Sequence, residues 1–256
     1  MSTGAALLEL DQVSKSFGRV VVADKLTFAV ADGELLGIVG PNGAGKTSLF
    51  GLISGQLAAD SGEVRFGGEP ITRTGPAARC RLGIGRTFQV PRPFTNMTVF
   101  ENVLVAAQQG AGLPRRASYS TAAEMLEQTG LGALANTPAE RLGLLHRKRL
   151  ELARALASGP KLLLLDEVAG GLTDPEVEQL VGIVRSVQRR GVTILWIEHV
   201  VHALAATVGR LICLAGGAII GDGEPDEVLS LPAVREVFLG TEVTTSLIRA
   251  DQPEAT

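Results

Sequence analysis

Cysteine and histidine are scarce in this chain. Only two cysteines, Cys80 and Cys213, occur among its 256 residues, and they lie far apart. Two distant cysteines cannot build a disulfide framework, and this usage is typical of a reducing, cytosolic compartment. His199 and His202 lie close in sequence, but no further cysteine or histidine is near enough to complete a tetrahedral set. The sequence therefore argues against a zinc centre at this pair.

Basic segments and long apolar runs are also missing. The formal net charge is −3 and the isoelectric point is about 5.7, and no basic stripe is present, so no nucleic-acid partner is expected. No apolar run reaches the roughly 18 residues needed to span a bilayer, and the apolar segment 210–220 is short and broken by glycine. The N-terminal residues lack the basic start and apolar core of a signal peptide. Any membrane association is therefore expected to be peripheral.

The remaining composition is that of a globular protein. Hydrophobic residues make up 45% and charged residues 20% of the chain, which is enough for a sizeable core, and the length indicates one large domain or a domain with a lobe. Near the N-terminus, apolar and polar residues alternate, which predicts antiparallel strands with one wet face. Continuous apolar runs at Leu35–Val39, Leu162–Leu165 and Val192–Ile197 predict strands buried on both faces of a mostly parallel sheet.

Helical periodicity connects these strands. The segment 108–118 is punctuated by glycine and proline and predicts a linker. Beyond Gly240 no pattern remains, so we expect a single domain over 1–240 and a flexible tail over 241–256. The predicted helices run from Lys46 into the fifties and over Val99–Gln108, Ser120–Thr129, Arg147–Ala157 and Pro175–Arg189.

The segment GPNGAGKT, residues 40–47, follows the first apolar run and leads into a helix. It has the phosphate-loop pattern in the required strand–loop–helix context, and an ordinary glycine-rich turn is the weaker interpretation. Gly43 and Gly45 let backbone N–H groups approach phosphates closely, and the helix N-terminus adds partial positive charge. Lys46 is expected to reach the β- and γ-phosphates of ATP, and the Thr47 hydroxyl to ligate Mg²⁺. The predicted ATP-binding residues of this segment are Gly40, Pro41, Asn42, Gly43, Ala44, Gly45, Lys46, Thr47 and Ser48.

Acidic and imidazole side chains follow two more of the predicted buried strands. Asp166 and Glu167 end the segment LLLLDE, which taken alone is often only the polar start of a loop. With a phosphate loop upstream, Asp166 is expected to hold Mg²⁺ through water and Glu167 to orient and deprotonate the attacking water. His199 can meet the same γ-phosphate, because ligands of open α/β sheets lie beyond the carboxyl ends of the strands. A lone histidine is otherwise usually structural.

Two further residues complete the predicted site. Gln89, in RTFQ, is placed to reach the Mg²⁺ and the attacking water from a flexible loop. Phe17, in KSFG, is placed to stack on adenine. Alone, a loop glutamine is weak evidence, and an aromatic residue near a strand end is more often part of the core. The predicted catalytic residues are therefore Glu167, His199 and Gln89, and the predicted Mg²⁺ ligands are Thr47, Gln89 and Asp166.

The phosphate loop, RTFQ, RLELARAL, LLLLDE and IEH occur in an order and at separations that resemble the ATP-binding subunit of an ABC transporter. The similarity runs from about Leu8 to Gly240, and the segments GIGRTFQVPRPFTNMTVFENVLVAAQ and GEPDEVLSLPAVREVFLG look most like the branched-chain amino acid uptake group. The resemblance implies an α/β cassette of the P-loop NTPase type, with a mostly parallel core sheet, an antiparallel β lobe and a helical lobe at about 91–159. It also implies ATP hydrolysis coupled to the import of branched-chain or hydrophobic amino acids or related small amides.

The same resemblance implies partners. Two cassettes, identical or different, would pair head to tail with two ATPs between them, beneath integral membrane permease subunits. The location would be the cytoplasmic face of the inner (plasma) membrane, and a periplasmic or extracellular solute-binding protein would be an indirect partner. The segment after Gln89, with Pro91, Pro93 and Phe94, would face the permease. An ordinary loop anchored by Phe94 is the other interpretation.

The chain departs from the family pattern at three places. Val168 stands where proline commonly follows the acidic pair, and Thr173 stands where Asp or Asn is usual, with Asp174 one position later. In the segment 143–146, Gly143 replaces the usual serine, Leu144 and Leu145 occupy two positions that are often glycine, and His146 replaces glutamine. In the family this loop contacts the γ-phosphate of ATP held by the other subunit. The hydroxyl is therefore absent from that contact.

Two alternatives belong to other classes. A soluble ABC-type ATPase that remodels a macromolecular complex usually carries two cassettes in one chain, whereas this length suits one. A P-loop kinase would need a phosphate acceptor site, whereas Asp166, Glu167 and His199 favour water as the acceptor. The helix predicted over Arg147–Ala157 is amphipathic. Leu145, Leu152 and Leu156 are expected on one side, and Arg147, Lys148, Glu151 and Arg154 largely elsewhere.

Overall fold

The computed structural model describes residues 6–199 and 201–239. The predicted tail, 241–256, lies outside the described residues. In chain order the strands are β1 (Ala6–Phe17), β2 (Val20–Ala31), β3 (Leu35–Val39), β4 (Ser61–Phe66), β5 (Glu69–Pro70), β6 (Ile84–Arg86), β7 (Leu162–Asp166), β8 (Thr193–Ile197), β9 (Arg210–Ala215) and β10 (Ala218–Gly223). The helices are α1 (Lys46–Ser54), α2 (Pro76–Leu82), α3 (Val99–Val105), α4 (Arg115–Gln128), α5 (Leu144–Ala157), α6 (Asp174–Arg189), α7 (Val201–Ala205), α8 (Pro225–Ser230) and α9 (Pro232–Leu239).

The N-terminal strands form an antiparallel sheet in the order β2-β1-β4-β5. Alternate side chains of β1 and β2, among them Leu8, Leu10, Leu26 and Phe28, are buried, while their neighbours are exposed or half-buried. This is the pattern that alternation in the sequence predicts, because successive side chains of a strand point to opposite faces. The predicted antiparallel lobe is confirmed.

The core sheet has the order β10-β9-β3-β8-β7-β6, in which only β10 runs antiparallel to its neighbour among the described strands. Every residue of β3, β7 and β8 is buried, which is why these strands are continuously apolar. The predicted mostly parallel sheet is confirmed. Because β3, β8 and β7 are adjacent and parallel, the segments that follow their carboxyl ends meet at one edge of the sheet.

Helices α3, α4 and α5 pack around a hydrophobic cluster of their own, which includes Val99, Leu126 and Leu150. Leu152 and Leu156 of α5 belong instead to the cluster under the core sheet. Helix α5 therefore contributes to both cores and joins the helical part to the sheet. The bounds 91 and 159 of the lobe remain a prediction.

In the middle of the chain, the structure differs from the prediction made from the sequence. The linker predicted over 108–118 is mostly helical, because a π-helical turn (Ala106–Gly110) extends α3 and α4 begins at Arg115. Pro114 precedes the first turn of α4 with extended backbone (φ −63°, ψ 155°), so the glycine and proline of this segment end one helix and start the next. In the same way, α5 begins at Leu144 with Gly143 as its N-cap, three residues before the predicted Arg147.

Two charged residues of α5 are buried, although an amphipathic pattern would place them on an exposed face. Lys148 is only 4% and Glu151 only 5% exposed. Within the described residues, no helix is long and apolar enough to cross a membrane.

Candidate functional site

The backbone of the phosphate loop requires glycine at two closely packed positions. Gly40 has φ +149° and Gly45 has φ +101°. A Cβ atom on Gly40 would lie 2.1 Å from the Leu214 carbonyl oxygen, and one on Gly45 would lie 2.1 Å from that of Val22. Any side chain would collide with fixed backbone, so these glycines set the close packing of the loop against β2 and β9.

Hydrogen bonds to the β9–β10 turn hold the loop in place. Gly217 N donates to Ala44 O at 3.1 Å, and Asp24 N donates to Gly217 O at 2.8 Å. Leu49 N donates to Gly45 O at 2.8 Å and starts the α1 ladder, so the helix N-terminus faces the loop. A loop fixed in this way presents its N–H groups to an anion with little reorganisation.

Lys46 lies under this loop. Its side chain is 6% exposed, and Nζ donates to Gly40 O at 2.7 Å and to Pro41 O at 3.0 Å. Burial lowers the pKa of Lys46, and the negative charges of Glu167 and Asp166 act in the opposite direction. The Thr47 side chain, one position along, is exposed. The ammonium is thus already aimed at the place where the loop would hold phosphate.

Asp166, at the end of β7, is 2% exposed. Its Oδ2 accepts a hydrogen bond from Arg86 Nη2 at 2.9 Å, whereas Oδ1 is buried without a hydrogen-bond partner. Burial raises the pKa of Asp166, and Arg86 counteracts this shift. A buried carboxylate oxygen without a donor suits a cation or its bound water, so the residue fits its predicted Mg²⁺ role.

Arg86 is not among the residues predicted from the sequence, although it opens the RTFQ motif. It is the last residue of β6, and its Nη1 donates to Gln56 Oε1 at 2.8 Å. The sequence shows the arginine but not the burial of its side chain next to a strand end. Arg86 therefore could not be recognised as a site residue from the sequence.

Glu167 contacts both of the other residues predicted to act in catalysis, His199 and Gln89. Its Oε1 lies 2.6 Å from His199 Nε2, and its Oε2 accepts a hydrogen bond from Gln89 Nε2. Glu167 N donates to Ile197 O at 2.9 Å, which ties the start of this loop to the end of β8. The backbone of Glu167 has φ +50°, a conformation that is uncommon for a residue with a side chain and often marks functional sites.

The other predicted residues lie around this centre. Gly40, Pro41 and Asn42 line a cavity of about 70 Å³ together with Glu198 and His199, so His199 faces the phosphate loop. Phe17 is 52% exposed at the end of β1, with Lys15 Nζ 5.4 Å from the centre of its ring. It is therefore not a core residue, and stacking on adenine remains its predicted role.

The predicted metal ligands belong to three different segments. The described residues contain no group of three or more His, Cys, Asp or Glu side chains that could hold a metal alone. Gln89, assigned to both metal and catalysis, contacts Glu167 here.

The divergent segment 143–146 forms the start of α5. Gly143 is the N-cap (φ −69°, ψ 171°) without a side-chain hydrogen bond, and Leu144 is 48% exposed. Hydrogen bonds from Thr173 lower the pKa of the Glu176 carboxyl, in the first turn of α6, and the charge of Arg149 lowers it further. Thr173 N and Oγ1 donate to Glu176 Oε2 at 2.8 and 2.9 Å, so Thr173 caps the start of α6 where the family usually has Asp or Asn.

Comparison with known proteins gives a consistent result. The family profile described as "ABC transporter" matches residues 23–170. A probable branched-chain amino acid transport ATP-binding protein, LivG of Archaeoglobus fulgidus, is 32% identical over 92% of this chain and 96% of its own length. The lipopolysaccharide export system ATP-binding protein LptB of Acidithiobacillus ferridurans is 33% identical over 92% and 98%, respectively.

Solved structures agree. A crystal structure of an ABC transporter's ATP-binding cassette in its ADP conformation has a TM-score of 0.83 and 32% identity, over 92% of this chain and 99% of that one. A nucleotide-free cassette also has a TM-score of 0.83, with 31% identity over 91% and 98%. The chain therefore belongs to the ABC transporter family and is one of its nucleotide-binding, ATP-hydrolysing subunits.

Proposed function

We propose that this subunit energises the import of branched-chain or other hydrophobic amino acids, or related small amides, through a membrane permease. The observation that carries the hydrolytic part is the convergence of Gln89 and His199 on the two carboxylate oxygens of Glu167. These contacts fix one carboxylate beside the phosphate loop, as a general base for water requires.

The proposed reaction uses groups that already face one another. The loop N–H groups and Lys46 bind the phosphates, for which the Lys46 ammonium would exchange its carbonyl partners. Asp166 and Thr47 would hold Mg²⁺, which neutralises the charge that develops on the phosphates. Glu167 takes the proton from the attacking water, while His199 keeps the carboxylate oriented and faces the γ-phosphate. Gln89 connects this base to the loop that follows β6.

The transported class is supported by relatives from one group. LivG of A. fulgidus and BraF of Pseudomonas aeruginosa, 31% identical over 91% of this chain, are named for branched-chain amino acid transport. Relatives of similar identity are named for lipopolysaccharide export and Nod factor export. The resemblance of the segments after Gln89 and before Gly240 to the branched-chain amino acid uptake group favours import.

We also propose that the permease binds beside the segment that follows Gln89. A groove of about 310 Å³ lies between α2, α5 and this segment. Phe94 is 46% exposed there, with the Arg154 guanidinium 4.9 Å from its ring centre. Glu151 lines the same groove, and burial raises the pKa of its carboxyl. A partner helix that binds in this groove would lie next to the loop that carries Gln89. A movement of that helix would then shift Gln89 relative to the Glu167 carboxylate.

The test is co-purification from detergent-solubilised membranes. The subunit should copurify with multi-span membrane proteins, and branched-chain amino acids with their solute-binding protein should stimulate ATPase activity in reconstituted vesicles. Phe94→Ser should weaken the co-purification without changing ATP affinity. Tyr119→Ser is the matched control, because Tyr119 is a similarly exposed aromatic side chain (44%) outside the groove. Purification without any membrane protein would favour the soluble remodelling ATPase, and stimulation by an exported substrate alone would contradict import.

A further inference from the structure

Lys148 is a buried cation to which the site described above gives no role. It lies in the second turn of α5, the helix whose N-terminus is the divergent segment 143–146. The side chain is 4% exposed, and burial lowers the pKa of its ammonium. A buried ammonium is expensive unless strong partners hold it, so its contacts indicate what it stabilises.

The ammonium binds the main chain of the proposed catalytic residue. Lys148 Nζ donates to Glu167 O at 3.1 Å. Within the described chain, the backbone donor to the same oxygen is Gly170 N, at the long distance of 3.4 Å. Glu167 has a left-handed backbone (φ +50°), which costs free energy and persists only where surrounding groups impose it. Lys148 supplies such a group from a different part of the fold.

Glu198 completes the arrangement from the end of β8. It is 3% exposed, and its Oε1 accepts hydrogen bonds from Ala169 N at 2.7 Å and from Trp196 Nε1 at 3.0 Å. Its charge attracts Lys148, whose pKa it raises against the effect of burial. Lys148 and Glu198 thus both bind the main chain of the segment 167–169, Lys148 at Glu167 O and Glu198 at Ala169 N. Lys148 itself does not line the cavity between His199 and the phosphate loop.

The helix that carries Lys148 also belongs to both hydrophobic cores. Leu150 and Ala153 pack with α3 and α4, while Leu152 and Leu156 pack under the core sheet. Any rotation of α5 against the sheet would change the distance between Lys148 Nζ and Glu167 O. The N-terminus of the same helix is the segment that the family resemblance places against the partner's nucleotide.

We infer that Lys148 is a positioning residue that couples the orientation of α5 to the backbone of Glu167, and thereby connects nucleotide contact at the start of α5 with hydrolysis at this chain's own site. The inference rests on the proposed role of Glu167 as the base. We therefore expect Lys148 to affect the rate of the chemical step and not the affinity for ATP, because Lys46 and the loop N–H groups bind the phosphates without it.

The experiment compares Lys148→Met with the double variant Lys148→Met/Glu198→Gln in the full transporter complex. The single variant leaves the Glu198 carboxylate buried without its cation, so part of its effect will be lost stability. The double variant removes both charges, while the carbonyl oxygen of the introduced glutamine still accepts from Ala169 N and Trp196 Nε1. We expect the double variant to melt close to the wild type and to bind ATP with unchanged affinity. Its kcat should fall about 10- to 100-fold, the scale of one hydrogen bond from a charged donor.

Three controls separate the outcomes. Lys161→Met makes the same substitution at an exposed lysine on the opposite edge of the sheet, before β7, and should change nothing. Lys148→Arg, which retains a cationic donor, should recover part of the rate. A folded double variant that hydrolyses ATP within about threefold of the wild type overturns the inference, as does a loss confined to KM. Should Glu167→Gln itself retain full activity, the proposed base fails separately, whatever Lys148 does.

Discussion

The Glu167 Oε1 atom lies 2.6 Å from His199 Nε2, which joins the residues that follow two neighbouring parallel strands, β7 and β8. Because Glu167 N also donates to Ile197 O, the carboxylate and the imidazole are fixed both through their side chains and through the main chain. This relationship places a hydrogen-bonded carboxylate at the edge of the sheet where the phosphate loop begins.

Glu167→Gln should keep ATP bound and slow hydrolysis by about 10²–10⁴-fold, the usual contribution of a positioned general base. The amide has nearly the shape of the carboxylate and keeps one acceptor oxygen for Gln89 or His199, but its NH2 group only donates and the amide cannot take the proton from water. Turnover in the assembled complex and ATP binding by calorimetry are the measurements. Glu63→Gln, on the exposed face of β4, is the control, and near-normal turnover of the Glu167 variant would move the base elsewhere.

His199→Ala should reduce turnover severely, because the carboxylate loses one of its two side-chain partners. If the histidine acts through Glu167, then Glu167→Gln/His199→Ala should be little slower than Glu167→Gln alone, since contacting residues that act as a unit are not additive. Single-turnover rates of the three variants measure this. A wild-type rate for His199→Ala would leave the residue with a structural role only.

Lys46→Ala should lower ATP affinity by about 10- to 100-fold, the scale of hydrogen bonds to a charged group. Its ammonium lies under the loop and donates to the carbonyl oxygens of Gly40 and Pro41, so the phosphates would lose a side-chain cation that the loop supplies. Titration calorimetry with ATP is the measurement, and Lys161→Ala is the exposed control. An unchanged ATP affinity would contradict the assignment of residues 40–47 as a phosphate loop.

Asp166→Asn should stabilise the nucleotide-free protein relative to the wild type as pH rises. Burial raises the Asp166 pKa above its ordinary value of 3.8, so the folded state binds the proton more tightly than the unfolded state. The wild type therefore loses this contribution as pH rises through the folded pKa, while Asn, which does not titrate, retains it. The difference in melting temperature should grow as pH rises above 3.8, the ordinary pKa of the carboxyl, and a difference independent of pH would contradict the burial argument.

The strands and the phosphate loop can be predicted from the sequence because their physical causes are local. A strand buried on both faces is continuously apolar, and the loop glycines avoid collisions that any Cβ would cause. The start of α4 cannot be predicted in this way, because proline and glycine mark helix ends as readily as linkers. Lys148 and Arg86 escape prediction for a different reason. Their importance comes from burial against Glu167 and Asp166, residues distant in sequence, and a charged residue in an amphipathic helix or at a strand end gives no local sign of it.

The divergent start of α5 leads to the last prediction. Gly143 caps this helix without a hydroxyl, so the predicted contact with ATP bound by a partner cassette would lose one hydrogen bond to a charged group, about 1.5–3 kcal/mol. The backbone N–H groups of the first turn can still face an anion. The loss falls on the site built from the partner's phosphate loop, whereas this chain's Lys46, Asp166, Glu167 and His199 are present.

We therefore expect two different cassettes with unequal sites, the better one centred on Lys46. The test introduces Glu167→Gln in this chain and the matching change in the partner, one at a time, in the assembled transporter. The variant in this chain should lose most of the ATPase activity and the partner's variant much less. Because each change removes one base and leaves both nucleotides bound, equal losses would mean that the backbone N–H groups of α5 suffice. Two copies of this chain in the purified complex would equally contradict the asymmetry, since both sites would then share the same start of α5.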